Sequence, residues 1–266
     1  MLRCAISQVC SFGWSFERDL SYYAEIGAPA ISILGSKLEA FGREAGRRLL
    51  ARSGLAVAGY GSLGPFSLHE PAAWPAEIRR AEDQIALAAE LGARTATLLS
   101  GSGRGRPYPE SEAALLSLLE RLLPLAERHG VVLALEHNHA LRVDLGFVHT
   151  LHDALDLTDR VDSPWFAICC ELNNAWIERF LYDDIRARVG RIGLVQVSDF
   201  LEGTLSTPER APLGDGIIPL ESILRAFEAA RYPGYYEIEL IGREIERLGY
   251  EESLRRSLAF LERLGD

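Results

Sequence analysis

The segment VVLALEHNH, residues 131–139, carries only apolar side chains from Val131 to Leu135 and then ends abruptly on Glu136. Short apolar runs of this kind are what strands of a parallel sheet look like when both faces are covered by protein. The shape recurs in WFAICCE (165–171), IGLVQVSDF (192–200) and YYEIELIG (235–242), whose polar ends are Glu171, Gln196 and Glu239. Working back toward the start, CAISQV (4–9), AISIL (30–34), LAVAGYG (55–61) and TATLLS (95–100) supply four more strands. Helical patterns at 76–91, 111–129, 147–158, 218–230 and 251–264 lie between or after them, and strands alternating with helices predict a parallel sheet with crossover helices. Gly27, Gly54, Gly92 and Gly130 each stand where a helix must close before the next strand begins.

Eight strands in 266 residues match the typical length of a closed (β/α)8 TIM barrel, about 250 residues. The open doubly wound alternative lacks a glycine-rich nucleotide fingerprint here. No linker or low-complexity tract divides the chain, so residues 1–266 are expected to form one α/β barrel domain. Loops at 101–109 and 199–217 follow strands four and seven, on the end of a barrel that carries active sites.

A carboxylate at the end of an apolar strand is costly to desolvate unless something charged shares it. Three of them beside an amide, on consecutive strands, point to a common cation held by Glu136, Glu171, Gln196 and Glu239. Oxygen donors without thiolate or imidazole suit Mn²⁺ or Mg²⁺ first, with Co²⁺, Ni²⁺ and Zn²⁺ left open. The competing expectation is that some of these acids form ion pairs at the lip with arginines such as Arg210 and Arg243.

The formal charge of −10 disfavours a nucleic-acid partner, because backbone binding needs a basic surface. No stretch is long enough to span a bilayer and the N-terminus lacks a signal-peptide pattern, so a cytoplasmic location with no membrane partner is expected. The four cysteines show no zinc or disulfide spacing and are expected to be reduced, with Cys169 and Cys170 on opposite strand faces. Lys37 is the only lysine, which leaves Schiff-base chemistry a single candidate. The loop GSGRGRPYP lacks the lysine and spacing of a nucleotide P-loop.

From Val131 to Gly242 the order and spacing resemble the xylose isomerase-like TIM barrel family of sugar phosphate isomerases and epimerases. The resemblance rests on Glu136 with His139, Glu171 with Asn174, Gln196 with Asp199, the turn Gly214-Asp215-Gly216, and Glu239. The family pattern has aspartate at 171 and histidine at 174 and 196; this chain has glutamate, asparagine and glutamine. The resemblance implies a metal-dependent isomerase or epimerase of a sugar, keto acid or related polyhydroxy carbonyl compound. Glu136 and Glu239 would be the catalytic acid and base and the product of proton loss an enediolate. It implies a small-molecule substrate and leaves room for a homo-oligomer.

Around such a site His139, Asn174 and Arg210 are candidate substrate-binding residues, Arg210 for a carboxylate or phosphate. Trp14 and Trp176 are candidate apolar walls against a sugar ring. Asp199 reads as a supporting partner rather than a base, and His69 as a residue near the mouth. The altered positions 171 and 174 also leave open a metal-dependent lyase or dehydratase, or a barrel that has lost catalysis and binds a ligand.

Overall fold

The computed structural model describes residues 2–265. Eight parallel strands close on themselves in sequence order, β1 to β8. They are β1 Cys4–Ser7, β2 Ala30–Leu34, β3 Ala56–Leu63, β4 Thr95–Leu98, β5 Val132–Glu136, β6 Phe166–Glu171, β7 Ile192–Val197 and β8 Tyr236–Ile238. Closure comes from β8 pairing β1 in the register Cys4↔Tyr236, Ala5↔Glu237 and Ile6↔Ile238. The helices are α1 Phe16–Glu25, α2 Gly35–Phe41, α3 Arg43–Ser53, α4 Trp74–Glu90, α5 Tyr108–His129 and α6 Leu151–Val161. They continue with α7 Leu172–Ala175, α8 Leu181–Arg188, α9 Leu220–Ala229, α10 Arg243–Leu248 and α11 Tyr250–Gly265. Among the described residues none of these helices is long and apolar enough to cross a membrane.

Each strand read from the sequence is present, with boundaries that shift for local reasons. The first strand ends at Ser7, not Val9, because Gln8–Ser11 winds into a 3₁₀ turn. Gln8 drives that turn inward: its Nε2 donates to Asp19 at 2.8 Å while its Oε1 accepts from the Leu34 amide at 3.0 Å. The helix expected from 147 starts at Leu151, since Thr150 caps it by accepting from Asp153 N. Residues just before it belong to a loop in which Asn138 N bonds Val148 O. Helices α4 and α5 start earlier than their apolar periodicity suggests, each with a proline in its first turn, where a missing N–H costs nothing. At the other end of α5, Gly130 takes a left-handed conformation and its N–H closes the last turn, as the sequence pattern requires.

The pleat sorts side chains into two cores. Between sheet and helices lies one continuous apolar layer that includes Cys170, Ile168 and Leu135. Inside the barrel, Ala5, Ala30 and Ala58 form one small cluster and Ala134, Cys169 and Leu194 another, both resting on Tyr235. Cys169 and Cys170 therefore do occupy opposite faces, and all four cysteines are buried and free. Two residues further along each strand, on the same inward face, the filling changes from alanine and leucine to acid and amide. Glu136 follows Ala134, Glu171 follows Cys169, Gln196 follows Leu194, and Glu237 and Glu239 follow Tyr235. Register holds them level: Glu171 pairs Gln196 and Gln196 pairs Glu237.

Candidate functional site

A cavity of about 200 Å³ opens at the C-terminal end of the barrel. Of the residues singled out from sequence, Glu136, His139, Asn174, Gln196, Arg210 and Glu239 line it. Glu171 does not. It is 1 % exposed, caps α7 through Asn173 N at 3.0 Å and accepts from Arg210 Nη2 at 3.0 Å. For this acid the ion pair at the lip, the competing expectation from sequence, is what the structure shows. Arg243 instead pairs Glu209 outside the cavity.

Trp14 and Trp176 are not cavity walls. The 3₁₀ turn after β1 carries Trp14 outward, where it packs edge-on against Tyr22 and Tyr250 with the Arg18 guanidinium over its ring. Trp176 follows the short helix α7 and leans on Phe200. His69 also lies off the cavity wall and meets the glycine-rich loop, its carbonyl accepting from Arg106. Lys37 is engaged by Asp19 at 2.7 Å and by the Ser11 carbonyl at 2.7 Å, so it is a buried brace.

Asn138, Arg142 and Glu237 line the cavity and went unread in the sequence. Asn138 is buried and donates from Nδ2 to Glu136 Oε1 at 2.7 Å, which fixes that carboxylate. Glu237 is 3 % exposed, lines the cavity and accepts from Gln196 Nε2 at 3.2 Å. The same Nε2 donates to Glu239 Oε2. With its amide nitrogen spent on two glutamates, Gln196 leaves Oε1 buried and without a donor among the described residues. Asn174 is in a like position, giving Nδ2 to the His137 carbonyl at 3.0 Å while Oδ1 has no partner among the described residues.

Arg210 reaches the cavity because Asp199 folds the long loop back over it. The Asp199 carboxylate accepts from the amides of Phe200 at 2.8 Å and of Gly214, Gly216 and Ile218 at 3.0 Å. Its acceptor capacity is thereby consumed, so it shapes the loop and is no base. Gly216 must be glycine, since a Cβ there would overlap the Asp199 carboxylate and the Phe200 carbonyl. Arg210 itself is tied to the barrel by its amide on the Ile241 carbonyl at 2.8 Å.

The acids strain against one another. Loss of solvent, then the neighbouring Glu171, pushes Glu136 up to about 8 against a moderating pull from Arg210. Glu239 is driven well above the usual carboxylate range by desolvation and then by Glu136, Glu237 and Glu171. Glu237 is raised by burial, and Glu171 is raised by burial despite Arg210. His139 is held below its ordinary value by partial burial and the charge of Arg210. Its Nδ1 accepts from Leu141 N at 3.1 Å, which leaves Nε2 for a ligand.

A carboxyl whose folded value lies above its unfolded one stabilises the fold fully below the unfolded value and loses that contribution as pH rises through the folded one. The chelator-treated protein is therefore expected to melt progressively lower from about pH 5 to about pH 9. Glu136→Gln should flatten that slope in differential scanning calorimetry. A midpoint that climbs over this window would show that the acids do not oppose one another.

The donors suit a hard divalent cation. Gln196 Oε1 is an orphaned buried oxygen, and Glu136 and Glu239 share its cavity and carry the repulsion that a cation relieves. Among the described residues, however, no three His, Cys, Asp or Glu side chains already surround one point as a metal centre. Glu171, the remaining candidate ligand, has its oxygens on Asn173 N and Arg210.

The L-ribulose-5-phosphate 3-epimerase UlaE of Salmonella paratyphi C is 27 % identical over 124 residues, which are 46 % of this chain and 40 % of that protein. The matched part thus spans well under half the length of the curated relative. A solved protein of Sinorhizobium meliloti 1021 superposes with a TM-score of 0.91 at 23 % identity, over 98 % of each chain. The IolI protein, solved with a bound zinc atom, superposes with a TM-score of 0.84 at 16 % identity, over 99 % of this chain and 98 % of that one. At such identities the two superpositions speak to the fold. The family described as xylose isomerase-like TIM barrel matches residues 20–264, and with the closed eight-stranded barrel and its acid-lined mouth in view, the chain belongs to that family.

Proposed function

We propose that this chain is a divalent-metal-dependent isomerase or epimerase of a small polyhydroxy carbonyl compound, with Glu136 and Glu239 as its proton-transfer pair. The observation that carries the reading is that these two carboxyls, from strands three apart, line one cavity where burial and mutual repulsion raise the proton affinity of both. A pair so placed can take a proton at one side of a bound carbon and return one at another. The epimerase name of the partial relative and the zinc in IolI support the reading.

Glu136, Gln196 and Glu239 would hold the ion, joined by Glu171 once it exchanges Arg210 for the cation. When bound, such an ion polarises a substrate carbonyl and offsets the charge that develops as the adjacent proton leaves. Oxygen donors favour manganese or magnesium, and zinc remains compatible with the same set. Asn138 anchors Glu136 Oε1, so Oε2 is the oxygen left to exchange a proton. Gln196 and Glu237 orient one another beneath Glu239. Asn174 Oδ1 and His139 Nε2 are free to meet substrate hydroxyls.

The test is deuterium incorporation at carbon-bound positions in ²H₂O, read by NMR over ketoses, keto acids and their phosphates with manganese added. Exchange without net product, or with an epimer or aldose–ketose isomer, is expected for at least one substrate. An enone chromophore in its place would assign a lyase, and silence across the set with manganese bound would remove the isomerase reading.

A further inference from the structure

The cavity wall carries three glutamates, Glu136, Glu237 and Glu239, and two permanent cations, Arg142 and Arg210. In an acid-lined site the expected use of arginine is to neutralise the acids it faces. Among the described residues neither arginine pairs with these three glutamates; Arg142 pairs Asp144 and Arg210 pairs Glu171, and both only moderate Glu136 from a distance. Among the described residues the Arg210 guanidinium gives one hydrogen bond, to Glu171, which lies off the wall. Its Nε is buried with no acceptor among the described residues, in a residue only 8 % exposed, an orphan donor that a native fold rarely tolerates. Arg142 offers Nε and Nη2 to Asp144 at 3.0 and 2.9 Å, and Nη1 is left over. His139 stands in the same lining, with Nε2 unengaged.

These free donors share one requirement, an acceptor brought by the ligand. A hydroxyl would satisfy one of them, whereas an oxyanion with two or three oxygens can satisfy several at once and meet the positive charge. Building on the isomerase reading, we infer that the substrate is anionic, with its carboxylate or phosphate seated between Arg210, Arg142 and His139 and its carbonyl end toward Glu136 and Glu239. Such a head group also suits the proposed exchange at Glu171, because it gives Arg210 a new anion as Glu171 leaves it. Arg142 is then the residue that sets specificity, being charged, partly exposed and absent from any buried pair.

Calorimetric titration of the protein as purified with a matched trio tests this: a pentulosonate (a keto acid), a pentulose 5-phosphate and the neutral pentulose. At least one anion is expected to bind roughly tenfold or more tightly than the neutral sugar, the worth of a charge-assisted hydrogen bond. Which anion it is separates carboxylate from phosphate. Arg142→Gln should remove most of the advantage and Arg142→Lys keep part of it; both are surface-reaching changes, unlike loss of Arg210, which strands Glu171. Equal binding of all three, no binding by any, or an advantage untouched in Arg142→Gln would overturn the inference. Deuterium exchange on the same trio keeps the two readings apart. Exchange on the neutral sugar alone leaves the isomerase and refutes the anion, while tight anion binding without exchange does the reverse.

Discussion

Glu239→Gln is expected to lower kcat by about a thousandfold or more on whichever substrate exchanges, since a positioned acid or base contributes 10²–10⁴. The amide keeps the size of the side chain and cannot carry the proton. It also keeps an oxygen for Gln196 Nε2, so the fold and the Gln196 orientation should survive. Glu136→Gln should cost a comparable factor, because the two acids divide one proton transfer between them. The double variant should lose little beyond the worse single one, the behaviour of groups that act as a unit. Single-turnover kinetics beside a circular dichroism melt would distinguish this from damage to the fold. A Glu239→Gln enzyme with kcat within a few-fold of the parent would end the two-acid mechanism.

The second large effect is on stability. Arg210→Met leaves the Glu171 carboxylate buried without its counter-ion, and breaking a buried pair from one side typically costs about 3–5 kcal/mol. In a chain of this size that corresponds to a drop in Tm of roughly 6–20 °C. The penalty should shrink as the pH is lowered, because burial already raises the proton affinity of Glu171 and the stranded group can neutralise itself. Replacing both partners, Arg210→Met with Glu171→Gln, should recover most of the loss. A single variant that melts within a degree or two of the parent at pH 8 would show that the pair contributes nothing to the fold.

How much of this could be read from the chain depended on periodicity. The strands were legible because a barrel strand is covered on both faces, so VVLALE and WFAICC have no polar interruption until the lip. The helix-closing glycines were legible because a left-handed residue is cheap only for glycine. Glu136, Gln196 and Glu239 could be brought together on the same grounds, being inward-facing positions just beyond the filled core. The same two-residue period should have found Glu237 beside Glu239 and Asn138 after Glu136. The period marks the inward face without saying which of its polar positions belong to the site, and Arg142 stands in a loop with no period at all.

Beyond the strands the period ends, and with it the legibility. The loop from 199 to 217 is shaped by one carboxylate gathering four amides, a pattern with no repeat in sequence. That Arg210 would be delivered to Glu171 could be offered from sequence only as an alternative. Trp14 and Trp176 were misplaced for a related cause: each stands after a strand end, where direction is set by a 3₁₀ or single-turn helix that the apolar pattern does not encode.

The claim on which the mechanism stands is that one cation gathers the four lip residues. Crystals soaked in manganese and measured at its absorption edge test this most directly. The expected map has a single anomalous peak bonded, at about 2.0–2.4 Å, to Glu136, Glu239, Gln196 Oε1 and Glu171, with Arg210 swung off Glu171. A map with no peak in the cavity, and Arg210 still holding Glu171, would contradict it.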